Sequence, residues 1–203
     1  MSITAEIPEI ETHPWEPFIP EGAKVLIMGT FPPQRKRWSM DFYYPNRTND
    51  FWKICGLIFL NDKNALMNPD LKTYNLDSIK ALMTEKHIAL HDTVSKCRRL
   101  KGNASDKFLE VVEPVPLFSI LEQMPDCRAI ATTGEKAAGI IADLTDSQIP
   151  KMGEMTETSG KYFKGNNKNL EIWRMPSTSR AYPLQLEKKA EYYAKMFRHL
   201  GII

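Results

Sequence analysis

Four short segments of this 203-residue chain are placed to bind a ligand together, because each follows an apolar run: Gly29-Thr30-Phe31-Pro32-Pro33, His91-Asp92-Thr93, Thr133-Gly134 and Pro176-Ser177-Thr178-Ser179. They offer a carboxylate, hydroxyls, backbone amides and glycines that permit close approach. Just beyond the first segment, Arg35, Lys36, Arg37 and Trp38, then Phe42, Tyr43 and Tyr44, interleave cations with flat rings. Cations engage phosphates and rings stack on bases, so this stretch points to nucleic acid. The same composition also fits a solvated basic turn with aromatics packed beneath a loop.

The segments share a rim only if the runs before them lie side by side. KVLIM at 24–28, HIAL at 87–90, RAIAT at 128–132 and EIWRM at 171–175 read as short strands buried on both faces. Between them, apolar residues recur at spacings of three and four: Phe51, Ile54, Cys55 and Ile58; Leu76, Ile79, Leu82 and Met83; Leu117, Ile120, Leu121 and Met124; Ala137, Ala138, Ile141 and Leu144. A last helix carries Leu186, Ala190, Tyr193, Ala194, Phe197 and Leu200 and stops at Gly201. Strands alternating with helices imply right-handed crossovers, hence a three-layer α/β/α domain around a central four-stranded parallel sheet. Ligands of such sheets bind beyond the carboxyl ends of the strands, where all four segments fall. The domain is expected over residues 23–203. Residues 1–22, with Pro8, Pro14, Pro17 and Pro20, read as an extended arm without regular structure, and 146–168 as a long loop or weak ribbon.

Composition bounds the alternatives. Apolar residues at 42% and charged residues at 26% are ordinary for a globular chain. No apolar run approaches the ~20 residues of a membrane span, and no basic-then-apolar leader opens the sequence, so a cytoplasmic protein without membrane contact is expected. Cys55, Cys97 and Cys127 are too few and too dispersed for a disulfide framework, a metal knuckle or a four-cysteine cluster. A net charge of +2 makes the nucleic-acid case depend on where the cations lie.

Taken together, Gly29-x-x-Pro32, Tyr43-Tyr44-Pro45, Asn49-x-Phe51-Trp52 and Pro176-Ser177-Thr178-Ser179 resemble the uracil-DNA glycosylase superfamily. The nearest branches are the mismatch-specific uracil/thymine glycosylases and the deoxyinosine (hypoxanthine) glycosylases. Asp92, Cys97-Arg98 and the stretch from Gly102 to Asp106 also resemble the latter. The similarity runs from about Lys24 to the last helix.

That resemblance implies a DNA glycosylase of base-excision repair, acting without metal or organic cofactor on DNA that bears a deaminated or mismatched base. The expected partner is that DNA, and the expected oligomeric state is a monomer. Gly29, Thr30, Phe31, Pro32, Tyr44 and Thr133 would contact the flipped base, with backbone amides of residues 30–33 as donors to it. Relatives usually carry Asp or Asn at the Phe31 position to hold the attacking water, which a phenyl ring cannot do. Asn49 and Asp92 are then the catalytic candidates. Asn49 also suits a helix N-cap, and Asp92 a cap or a salt-bridged loop residue. Thr133 stands where many relatives read the base with Asn, and Met175 where the most efficient uracil enzymes have His, which implies relaxed base discrimination and a slower enzyme. Arg35, Arg37, Ser177, Thr178, Ser179, Arg180 and Tyr182 would contact DNA, the last two as wedge and backbone residues. With no lysine in a motif position, base removal without strand cleavage is expected. The alternative is a superfamily member that binds damaged or single-stranded DNA without hydrolysing it. A serine hydrolase built on Ser177 or Ser179 with His91 and Asp92 lacks a nucleophile elbow.

Overall fold

The computed structural model describes residues 8–101, 106–158 and 169–203. In chain order its elements are β1 (Ile10–Thr12), β2 (Val25–Gly29), α1 (Phe51–Leu60), α2 (Leu76–Glu85), β3 (Ile88–Asp92), β4 (Val94–Arg99), β5 (Leu109–Pro114), α3 (Leu117–Leu121), β6 (Ala129–Thr132), α4 (Glu135–Thr145), β7 (Met155–Glu157), β8 (Glu171–Arg174) and α5 (Leu186–His199).

Strand side chains alternate between faces, and β2 shows how this builds three layers. Val25 and Ile27 pack with Phe51, Trp52, Ile79, Tyr193 and Phe197 from α1, α2 and α5. Leu26 and Met28 face the other way, toward Leu117, Ile120 and Leu121 of α3 and Ile141 of α4. The strand is therefore apolar throughout, as a strand covered on both sides must be.

The central sheet has the order β3-β2-β6-β8-β7. Its first four strands are parallel, as expected from the sequence. β7 adds a fifth, antiparallel edge, so part of the expected long loop is ordered pairing; residues 159–168 of that loop lie outside the described residues. The register aligns the strand ends. Gly29 pairs with Asp92, Met28 with Thr132 and Thr132 with Arg174, which brings the four following loops to one edge.

A second sheet was not expected. β1, β4 and β5 form an antiparallel ribbon in the order β1-β4-β5, over a small core of Val94, Cys97 and Leu109. The expectation of an irregular arm is corrected accordingly: Ile10–Thr12 pairs with Lys96 to Arg98, and Phe18 exchanges both backbone hydrogen bonds with Leu90, at 3.0 and 2.9 Å. The arm thus covers the β3 edge of the central sheet, where unpaired backbone groups would otherwise stand exposed.

Candidate functional site

The four strand-end loops enclose one cleft of about 880 Å³, within the ~300–1,000 Å³ range of small-molecule sites. Residues 29–33 supply one wall, Tyr44 to Asn49 another, and the loop from Ser177 to Pro183 a third, with Asp92 and Thr133 between them. Every residue anticipated as catalytic or base-contacting lies on this cleft.

Asp92 ends β3 and is 6% exposed. Its Oδ2 lies 3.0 Å from His13 Nε2, while Oδ1 stands over Gly29, so close that a Cβ there would come within 2.6 Å of it. Only glycine leaves that space. Oδ1 has no hydrogen-bond partner among the described residues. Asp92 is therefore engaged through one of its oxygens and not through the other.

Phe31 does not plug the cleft. Its ring packs at the edge of the ribbon core, 5.5 Å from the His13 ring and 5.5 Å beneath the Arg99 guanidinium. Of the anticipated backbone donors in this loop, Pro32 and Pro33 carry no N–H, so the amides belong to Thr30 and Phe31 alone. Beside them His91 directs Nδ1 to the Tyr43 hydroxyl at 2.7 Å, whose own proton goes to the Glu16 carbonyl at 2.8 Å. Burial first, then the neighbouring His13, lowers the His91 pKa from 6.5 to about 4, against the pull of the Asp92 charge. Burial, with Asp92 second, pushes the Tyr43 phenol well above its ordinary range.

Tyr44 adopts a positive φ of 51°, a conformation that L residues with large side chains rarely take. Its ring stacks on Phe51 at 4.0 Å between centroids, and its hydroxyl reaches Thr133 Oγ1 at 3.2 Å. Asn49 Oδ1 accepts from the Phe51 amide at 2.9 Å in a turn just ahead of α1, whose N-cap position is held by Asp50 without a side-chain cap. Asn49 Nδ2 has no hydrogen-bond partner among the described residues and remains on the cleft wall as a donor.

The fourth loop is held by its own hydroxyls: Ser177 Oγ accepts from the Ser179 amide and Ser179 Oγ from the Ala181 amide. Its Thr178 carbonyl accepts from the Asp50 amide at 2.8 Å. Gly134 sits at φ 139°, a backbone conformation that side chains rarely adopt; a Cβ there would meet Ser177 Cβ at an ordinary 3.7 Å, so the dihedral and not the space calls for glycine. Arg180 and Tyr182 line the mouth, as does Arg37. Arg35 does not. It lies 5.2 Å over the Trp38 ring and, still largely exposed, 3.6 Å from the Asp41 carboxylate, off the cleft wall. Met175 is also no wall residue: it is 1% exposed and packed in the core.

Three site residues escaped the sequence reading. His13 sits in the arm, Lys107 lines the cleft after the ribbon turn, and Lys189 is wholly buried in α5. Lys189 alone left a signal, a cation on the apolar stripe next to Ala190. The motif-like stretch at 102–105 lies outside the described residues. No helix among the described residues is long and apolar enough to cross a membrane.

No protein-family model matches the chain. The chain is 29% identical over 125 residues to the hypoxanthine DNA glycosylase of Methanosarcina barkeri, covering 60% of this chain and 70% of that protein. Its fold matches the solution NMR structure of a candidate uracil DNA glycosylase from Methanosarcina acetivorans with a TM-score of 0.59 and 20% identity, covering 95% of this chain and 99% of the other. The likeness in sequence is thus to a hypoxanthine DNA glycosylase and the likeness in fold to a candidate uracil DNA glycosylase.

Proposed function

From these likenesses, we propose that the protein is a DNA glycosylase that hydrolyses the N-glycosidic bond of a flipped deaminated or mismatched base, whether uracil, hypoxanthine or thymine, and leaves the strand uncut. The observation that carries the proposal is the buried Asp92 carboxylate on the cleft wall, with one oxygen anchored to His13 and the other unpartnered beside Gly29.

Cleavage passes through an oxocarbenium-like sugar and releases a base bearing negative charge. Asp92 Oδ1 is suited to hold the attacking water and to stabilise the cationic sugar. Asn49 Nδ2 is a donor whose partner oxygen is already committed to the helix; it suits a base carbonyl better than a water. The amides of Thr30 and Phe31 and the hydroxyls of Tyr44 and Thr133 complete the polar set around the base. Donors fixed in this way stabilise charge that develops only as the bond breaks. Arg37, Lys107 and Arg180 at the mouth supply phosphate contacts to the DNA.

Oligonucleotides carrying uracil, hypoxanthine or a G·T mismatch, treated with the protein and then with alkali, should yield cleavage at one or more lesions. Phe31 favours a second reading, binding without hydrolysis; salt-dependent binding with no abasic product from any lesion would select it.

A further inference from the structure

We infer that His13 is a positioning residue for Asp92, so that the arm outside the parallel sheet is a working part of the cleft. The inference rests on the glycosylase reading above and adds a residue that no motif marks.

An ionised carboxylate only accepts, so the contact at 3.0 Å requires a hydrogen on His13 Nε2. The opposite ring nitrogen faces the Trp15 carbonyl at 2.9 Å and the Trp15 amide at 3.3 Å. That nitrogen donates to the carbonyl or accepts from the amide according to whether it carries a hydrogen, and either bond fixes the ring. Aromatic rings close the remaining directions: His91 at 4.8 Å, Phe31 at 5.5 Å, Trp15 at 5.7 Å and Tyr43 at 6.0 Å between centroids. With side-chain exposures of 5% for His13 and 8% for Asp92, the bond lies where little water competes for it.

The arm is moored on both sides of this histidine. The His13 amide donates to Ser95 O at 2.8 Å. Arg99 reaches Glu11 at 2.8 Å and the Pro32 carbonyl at 2.5 Å, tying the arm to the loop that bears Phe31. The phenyl ring that cannot hold a water thus braces the imidazole that orients the acid. Fixing Oδ2 leaves Oδ1 one direction, over Gly29. Without His13, Asp92 would be free to turn, and a displacement of about 1 Å at a reacting group can cost on the order of 10²-fold in rate.

Single-turnover excision by His13→Phe should be roughly 10- to 100-fold slower than wild type, with lesion-DNA affinity little changed. His13→Gln, whose Nε2 amide stands near the imidazole Nε2 position, should regain most of the rate. His13→Phe added to Asp92→Asn should cost nothing further, because the residue acts through Asp92. A rate indifferent to His13→Phe, or losses that multiply in the double variant, would overturn the inference alone. A wild type that cuts no lesion overturns the glycosylase reading and this inference with it. Should His13→Phe fail to fold by circular dichroism, His13→Asn, whose amide stops short of Asp92, takes its place.

Discussion

Lys189 and Asp50 form an enclosed ion pair: Nζ lies 2.7 Å from Oδ2, and the lysine side chain has no solvent exposure. Nζ also donates to the Ser179 carbonyl at 2.8 Å, and the Asp50 amide donates to the Thr178 carbonyl. One buried cation therefore joins the start of α1, which follows Asn49, to the loop that flanks the cleft. Removing Lys189 leaves the Asp50 carboxylate only the Lys53 ammonium at 4.0 Å, so Lys189→Met should cost about 3 kcal/mol in urea unfolding. Asp50→Asn in the same chain should return part of that loss; losses of the two single variants that simply add in the double would show that the pair is not coupled.

Asp92→Asn keeps an acceptor for His13 and removes the charge. Loss of a general base of this kind costs about 10²- to 10⁴-fold in rate, while binding of lesion DNA should hold or tighten because a negative charge has left the cleft. Single-turnover excision beside a filter-binding titration measures both. Activity within threefold of wild type would remove Asp92 from the mechanism.

Salt should separate the cations. Arg37→Ala, Lys107→Ala and Arg180→Ala, each at a residue lining the cleft, should each lower the slope of log affinity against log salt by about 1. Arg35→Ala should leave it nearly unchanged, since that guanidinium is engaged by Trp38 and Asp41. A slope that drops equally for Arg35→Ala would place the DNA path over the basic turn instead.

Stability should fall in mild acid. Between pH 6.5 and about 4 the unfolded chain takes up a proton at His91 that the folded protein resists, so the contribution is full above pH 6.5 and is lost as pH falls toward 4. In full it is worth about 3 kcal/mol. Urea midpoints at pH 7 and pH 4.5 should differ less for His91→Asn, which retains a donor toward Tyr43, than for wild type. Identical pH dependence would mean that His91 protonates freely in the fold.

The parallel sheet was legible because each of its strands is enclosed by one chemistry: a residue such as Ile27, buried on either face, is apolar whatever its neighbours do. The cleft followed from it, since Gly29, Asp92, Thr133 and Ser177 are set by strand ends. The antiparallel ribbon was not legible. Lys96 pairs with Glu113 and Arg98 with Glu110 across its exposed face, and register shifts near Lys96 break the alternation, so β4 reads as a charged loop. His13 was hidden for a related reason. Its partner is 79 residues away, and a lone histidine among prolines carries no periodic signal. Composition marks the basic turn without telling which of its cations reaches the cleft: Arg37 lines it, while Arg35 lies beside an aspartate six residues on.

The arm's moorings also set an order of assembly. The His13 contact spans 79 residues and the Glu11–Arg99 contact 88, so the arm leaves the ribosome long before β3 and β4 exist to receive it. Closing such long loops is entropically slow and gains its reward late. During synthesis the growing chain therefore carries a dangling Trp15 and Phe18 until β3 and β4 have emerged to receive the arm, and the acid stays unanchored for as long.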